Sequence, residues 1–121
     1  MQLIDDASRE LLLANGRNRD QDHAPVIKVF NPTGGQTWLL SELDPTDNDT
    51  LFGLCDLGMG SPELGYVSLS ELVDLSTMLL IPLERDLRFR SAAPMSVYAR
   101  FASVAGRIIE IGRTPNMYPE G

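Results

Sequence analysis

The chain has 121 residues, 43% hydrophobic and 22% charged, an ordinary globular composition that excludes a fibrous repeat and a wholly disordered polymer. One Cys excludes an internal disulfide framework and an all-Cys zinc site, and one His excludes a multi-His metal centre. The net charge of -7 is unevenly spread: residues 29–84 hold nine acids and no Lys or Arg, while residues 85–121 are net +3.

The length fits one domain over residues 1–121, with the Pro- and Gly-containing stretch 112–121 expected as a frayed tail. With no run of 18 apolar residues, no transmembrane helix is expected. The start, Met1 to Asp6, lacks the basic and apolar regions of a secretory signal, so a reduced, cytoplasmic setting is the default.

Residues 5–15 read as a helix capped by Asp5 or Asp6, with Ala7, Leu11 and Ala14 as its apolar stripe, Leu12 widening it and Asn15-Gly16 as a left-handed stop. Residues 17–24 are polar and read as a mobile loop. Val26 to Phe30 is extended, with Ile27 and Val29 on one face. Thr37 to Leu43, Thr50 to Asp56 and Glu63 to Val67 follow as strands, separated by turns rich in Gly, Pro, Asp and Asn. Short connections make antiparallel pairing the simplest arrangement.

Ser68-Leu69-Ser70-Glu71 matches the capping box, in which the hydroxyl accepts from the Glu amide and the carboxylate accepts from the Ser amide. A short helix to about Leu75 is expected. Asp86 to Arg90 alternates as a fifth strand with Leu87 and Phe89 inward, and Pro94 opens a last helix to about Ile109. Val97, Phe101, Val104 and Ile108 give that helix its stripe, broadened by Tyr98 and Ala105. The expected fold is α+β: an antiparallel sheet of about five strands, a four-strand meander plus one. The N- and C-terminal helices would pack on one face, and a short helix would lie between strands 4 and 5.

Four segments carry a resemblance. They are Thr37 to Asp44 (Thr-Trp-Leu-Leu-Ser-Glu-Leu-Asp), Asp49 to Gly53, Glu63 to Leu72 (Glu-Leu-Gly-Tyr-Val-Ser-Leu-Ser-Glu-Leu) and Leu83 to Leu87. Together they resemble a small bacterial family, domain of unknown function 2958, over roughly residues 1–105. The resemblance implies a stand-alone domain often carried on plasmids and other mobile elements. It implies no activity and no catalytic residue.

The residues themselves offer several chemistries, most of which fail on spacing. Gly58-Met59-Gly60 with Gly65 lacks the spacing and the following helix of a dinucleotide loop, and no Gly-Lys-Ser/Thr follows. Asp44, Asp47 and Asp49 surround a turn but miss the calcium-loop pattern, leaving at most weak cation binding and no expected metal or cofactor. Cys55 lies in an apolar strand with nothing to place His23 beside it, so it reads as core filler. Glu42, Glu63, Glu71 and Glu84 sit on different elements, and a general acid/base pair would need two of them to converge. Glu84-Arg85-Asp86 reads as a structural ion-pair segment, its acids meeting an Arg of the last helix. Ser68 and Glu71 are assigned the cap.

Trp38 and Tyr66 are read as aromatic residues standing out from the sheet. A base-stacking role needs cations around them, and this stretch has none. A protein-binding spot beside acids suits them better. The favoured expectation is a non-enzymatic module that docks a basic protein through Trp38, Glu42, Asp44, Asp47, Asp49, Glu63 and Tyr66, possessing no catalytic residue. One version is anti-restriction or anti-defence activity by charge mimicry. The competing classes are a small enzyme with a carboxylate pair and direct nucleic-acid binding through Arg85, Arg88, Arg90, Arg100, Arg107 and Arg113. The overall negative charge disfavours the last. The oligomeric state is open.

Overall fold

The computed structural model describes residues 3–111; the expected tail at 112–121 lies outside the described residues. The elements run α1 (Asp6–Gly16), β1 (Ile27–Phe30), β2 (Thr37–Leu43), β3 (Thr50–Asp56), β4 (Glu63–Ser68), α2 (Leu69–Met78), β5 (Glu84–Arg85) and α3 (Met95–Ala105). All five strands form one antiparallel sheet in the order β4-β3-β2-β1-β5. The meander and its turn positions follow the sequence pattern. The α+β class holds.

The helices divide between the two faces of the sheet, contrary to the single covered face expected. On one face Leu12 of α1 and Leu72 of α2 pack with Ile27, Val29, Trp38 and Leu40. On the other, Met95, Tyr98 and Ala102 of α3 pack with Leu39, Leu54 and Phe89. This explains why β2 is apolar at consecutive positions: six of its seven residues are buried, as in a strand covered on both sides.

Both outer helices turn a different stripe inward from the one expected. In α1 the buried positions are Ser8, Leu12 and Gly16, while Leu11 is exposed. In α3 they are Met95, Tyr98 and Ala102, while Phe101 and Val104 are exposed and the helix ends at Ala105 with Gly106 at positive φ. Ser8 and Gly16 in α1 and Ala102 in α3 sit inward because small residues let the helix axis approach the sheet closely. Tyr98 belongs inside because its Oη accepts from the Ala92 amide at 2.9 Å and its ring lies 6.2 Å from Phe89.

Three local readings also change. Gly16 is not a left-handed stop; Arg17 ends α1 in right-handed helical geometry. Gly16 is needed for close approach, since a Cβ there would stand 2.0 Å from the Leu43 carbonyl oxygen. The loop 17–24 is tied down at its C-terminal end: Asp22 accepts from the Ser96 amide at 3.1 Å and from the Ser96 hydroxyl, and the His23 carbonyl accepts from Met95 N at 2.9 Å. Asp22 thus caps α3 from a distance, where Pro94 offers no side-chain cap.

The fifth strand is Glu84–Arg85 rather than Asp86–Arg90. Asp86 Oδ1 accepts from Arg88 N at 2.9 Å, and Phe89 N donates to Asp86 O at 3.2 Å. That turn offers the backbone an alternative to the ladder, leaving Phe89 buried but Leu87 75% exposed. Ser68 and Glu71 form the capping box as expected, and α2 runs on to Met78.

Candidate functional site

The β2–β3 turn is built from carboxylates that hold their own backbone. Asp44 Oδ1 accepts from Thr46 N at 2.8 Å and Thr46 Oγ1 at 2.7 Å. Asp47 Oδ1 accepts from Asp49 N and Thr50 N, and its Oδ2 accepts from Thr50 Oγ1 at 2.6 Å. Asp49 accepts from the amide and hydroxyl of Ser70, in the first turn of α2. The helix N-terminus therefore supports a turn carboxylate with amide donors and its dipole rather than with a cation. The Thr50 hydroxyl, foremost, holds the Asp47 carboxyl below its ordinary pKa. Glu71, capping Ser68, adds a fourth acid beside Asp49 and Ser70.

Beside this turn lies a cleft that depends on an irregularity in β2. The β2–β3 register shifts between Leu40 and Glu42, placing an extra residue, Ser41, in the strand. Regular alternation would put Glu42 on the face of Leu40; the bulge returns Leu43 to the α1 core and turns Glu42 to the opposite face. Asn15 Nδ2 donates to Ser41 O at 2.9 Å and so fastens the bulge to α1. On β3, a Cβ at Gly53 would stand 1.9 Å from Leu39 O, so only glycine fits against the irregular strand.

Glu42 faces Phe52, its register partner, and Phe52 in turn pairs with Tyr66. The two rings lie 5.2 Å apart, tilted by 54°. Glu42 is only 7% exposed as a residue, but its carboxylate oxygens are not among the fully enclosed, unpartnered polar atoms, so they keep access to the cleft. Burial pushes its carboxyl above the ordinary pKa, an effect partly offset by the charges of His23 and Arg19. Arg19 reaches Tyr66 Oη with Nη2 at 3.0 Å, and its guanidinium carbon stands 6.0 Å from the ring centroid. Arg19, Asp20, Glu42, Phe52 and Tyr66 line an open cleft of about 430 Å³.

The residues chosen from sequence are thus only partly united. Asp44, Asp47 and Asp49 share the turn; Glu42 and Tyr66 share the adjoining cleft. Trp38 is corrected: at 3% exposure it belongs to the α1-side core and does not stand out from the sheet. Glu63 pairs with Cys55 at the end of β4 away from the turn, and its strand position puts it on the other face from Tyr66. Glu84 lies on β5, at the opposite edge of the sheet. The four glutamates considered as an acid/base set therefore do not converge.

The charged triplet finds other partners than the expected arginine of α3. Arg85 pairs with Asp5 at 3.1 Å, and Asp86 lies 3.7 Å from Lys28, which also pairs with Glu110 at 2.7 Å. The resulting hydrogen bonds, from Ser8 first and from Arg85, hold Asp5 at a pKa of about 2. Cys55 is half-buried, and burial pushes its thiol up. Among the described residues no group of three or more His, Cys, Asp or Glu is disposed to hold a metal ion, and no helix is long and apolar enough to cross a membrane. Sequence reasoning missed Arg19 and Phe52; a bulge set by Asn15 and Gly53 leaves no mark in the alternation of β2.

A small α+β domain with an open antiparallel sheet and an acidic turn is the class these features define. The family described as protein of unknown function (DUF2958) matches residues 3–109, and the chain belongs to it. No curated protein and no solved structure matches the chain.

Proposed function

We propose that this protein is a small non-enzymatic interaction module that docks a basic partner protein on its acidic turn, Asp44, Asp47 and Asp49 with Glu71. One observation carries the reading. Of the nine acids between residues 29 and 84, none takes part in any of the three ion pairs among the described residues. The carboxylates of the turn accept neutral amides and hydroxyls instead, so their charge is left to act on the surroundings. In the bacterial mobile-element setting that the family resemblance implies, the partner class is a nucleic-acid-handling protein of the host or of the same element. The anionic surface takes the place of phosphates there, which is an anti-defence role by charge mimicry.

Reversing Asp44, Asp47 and Asp49 to Lys tests the reading. Capture of basic partners, or of an oligo-arginine peptide, falls at least about tenfold, and wild-type binding weakens steeply as salt rises. Undiminished capture by the reversed variant contradicts it. A mobility-shift assay at low salt tests the competing nucleic-acid reading, which the exposed Arg88, Arg90, Arg100 and Arg107 keep in view; the docking reading expects no shift.

A further inference from the structure

We infer that the cleft between Glu42 and Tyr66 is a receptor for a single arginine side chain of the partner, and that Arg19 is an in-chain occupant which the incoming guanidinium displaces. The inference rests on the docking reading above and names the chemistry of its anchoring contact.

Most of the Glu42 side chain is covered, and a carboxylate with so little contact with water gains from a donor brought against it. Glu42 lines both the cleft and a narrower recess beside it, and no hydrogen bond among the described residues reaches its carboxylate. An entering cation would stabilise the carboxylate charge and so oppose the upward pKa shift that burial imposes.

The wall opposite is aromatic. Tyr66 is 61% exposed, and its ring is steadied by Phe52 at 5.2 Å. A planar guanidinium can stack on such a ring while its donors reach a carboxylate, which a compact ammonium does less well. Asp20 lines the rim of this cleft, and Asp44 lines a narrower recess beside it, so the approach is anionic.

Arg19 shows which group the cleft accepts. Its guanidinium carbon lies 6.0 Å from the Tyr66 ring centroid, and the hydrogen bond to the Tyr66 hydroxyl raises its pKa. Its hold is slight: one hydrogen bond to a phenol oxygen, and no ion pair among the described residues. It sits in the loop after α1, several residues before the anchors at Asp22 and His23. A partner's arginine can therefore take its place without disturbing the sheet.

Calorimetric titration of the full chain with an oligo-arginine and an oligo-lysine peptide tests this. Glu42→Gln and Tyr66→Leu are each expected to weaken oligo-arginine binding about tenfold, whereas Arg19→Ala strengthens it about threefold. Oligo-lysine binds more weakly and responds less to Tyr66→Leu. Both altered side chains border the cleft rather than the core, and circular dichroism confirms that each variant folds. Oligo-arginine binding that survives Glu42→Gln and Tyr66→Leu, but is lost on reversal of Asp44, Asp47 and Asp49, overturns the receptor and leaves the docking reading standing. No binding of either peptide by wild type or by Arg19→Ala overturns both.

Discussion

At the β1–β5 edge of the sheet the cations sit beside acids drawn from distant parts of the chain: Lys28 meets Asp86 and Glu110, and Arg85 meets Asp5. Across the sheet, where β2, β3 and β4 meet α2, the acids are held by amides, threonines and serines, and no cation is paired with them among the described residues. Glu42 apart, both regions satisfy their carboxylates, so both are compatible with a stable fold. They differ in what is left over. An ion pair cancels its own field, whereas a carboxylate bonded to neutral donors keeps its full charge on display. On the docking proposal, the first region holds the structure together and the second is left to meet a partner.

The largest effect that sharpens this contrast concerns Trp38. Trp38→Ala should cost about 3–5 kcal/mol of stability, because it removes a large side chain from the α1-side core. Urea denaturation measures it; a near-neutral result would return Trp38 to the surface and blur the division. Next is Gly16→Ala, which drives a methyl into the Leu43 carbonyl and should cost about 1–3 kcal/mol. It should also disturb the bulge at Ser41, which the Glu42 and Tyr66 amide resonances would report.

The distribution of charge and the meander were readable beforehand because each rests on local chemistry. Asp44-Pro45 and Gly58-Met59-Gly60 punctuate the strands whatever lies around them, and Ser68 with Glu71 needs only a three-residue spacing to cap α2. The helix faces were not readable in the same way. Val97, Phe101 and Val104 outrank Met95, Tyr98 and Ala102 in hydrophobic periodicity, yet the approach of α3 to Leu39 and Leu54 favours a small Ala102 and a Tyr98 with a partner for its hydroxyl. Each stripe suits a sheet covered on one face, whereas Leu39 and Leu40 pack into opposite layers. Arg19, and with it the setting of Glu42, stayed hidden for a third reason: their meeting depends on one inserted residue in β2 and on a loop that passes from α1 toward α3.

Smaller effects probe the paired edge. Lys28→Met should lower stability by up to about 1 kcal/mol, with the loss shrinking in high salt, since its side chain remains partly exposed beside Asp86 and Glu110. The loss of the Asp5 contribution should appear only in acid. Its folded pKa is depressed from 3.8 to about 2, so the stability it confers is present above the unfolded value and is lost as pH falls through that window. Asp5→Asn should flatten this part of the acid limb in a thermal melt series. Glu42 has the opposite sign: its folded pKa is raised, so its penalty is absent in acid and complete once pH exceeds the folded value. Glu42→Gln should therefore raise the melting temperature at neutral pH and leave it unchanged near pH 3.

The most direct measurement for the division of charge is the affinity of the full chain for an oligo-arginine peptide as a function of salt. The account predicts firm binding at low ionic strength, a loss of at least about tenfold by about 0.15 M salt, and near-abolition in the variant with Asp44, Asp47 and Asp49 reversed. Affinity that is indifferent to salt, or equal in the reversed variant, would contradict it.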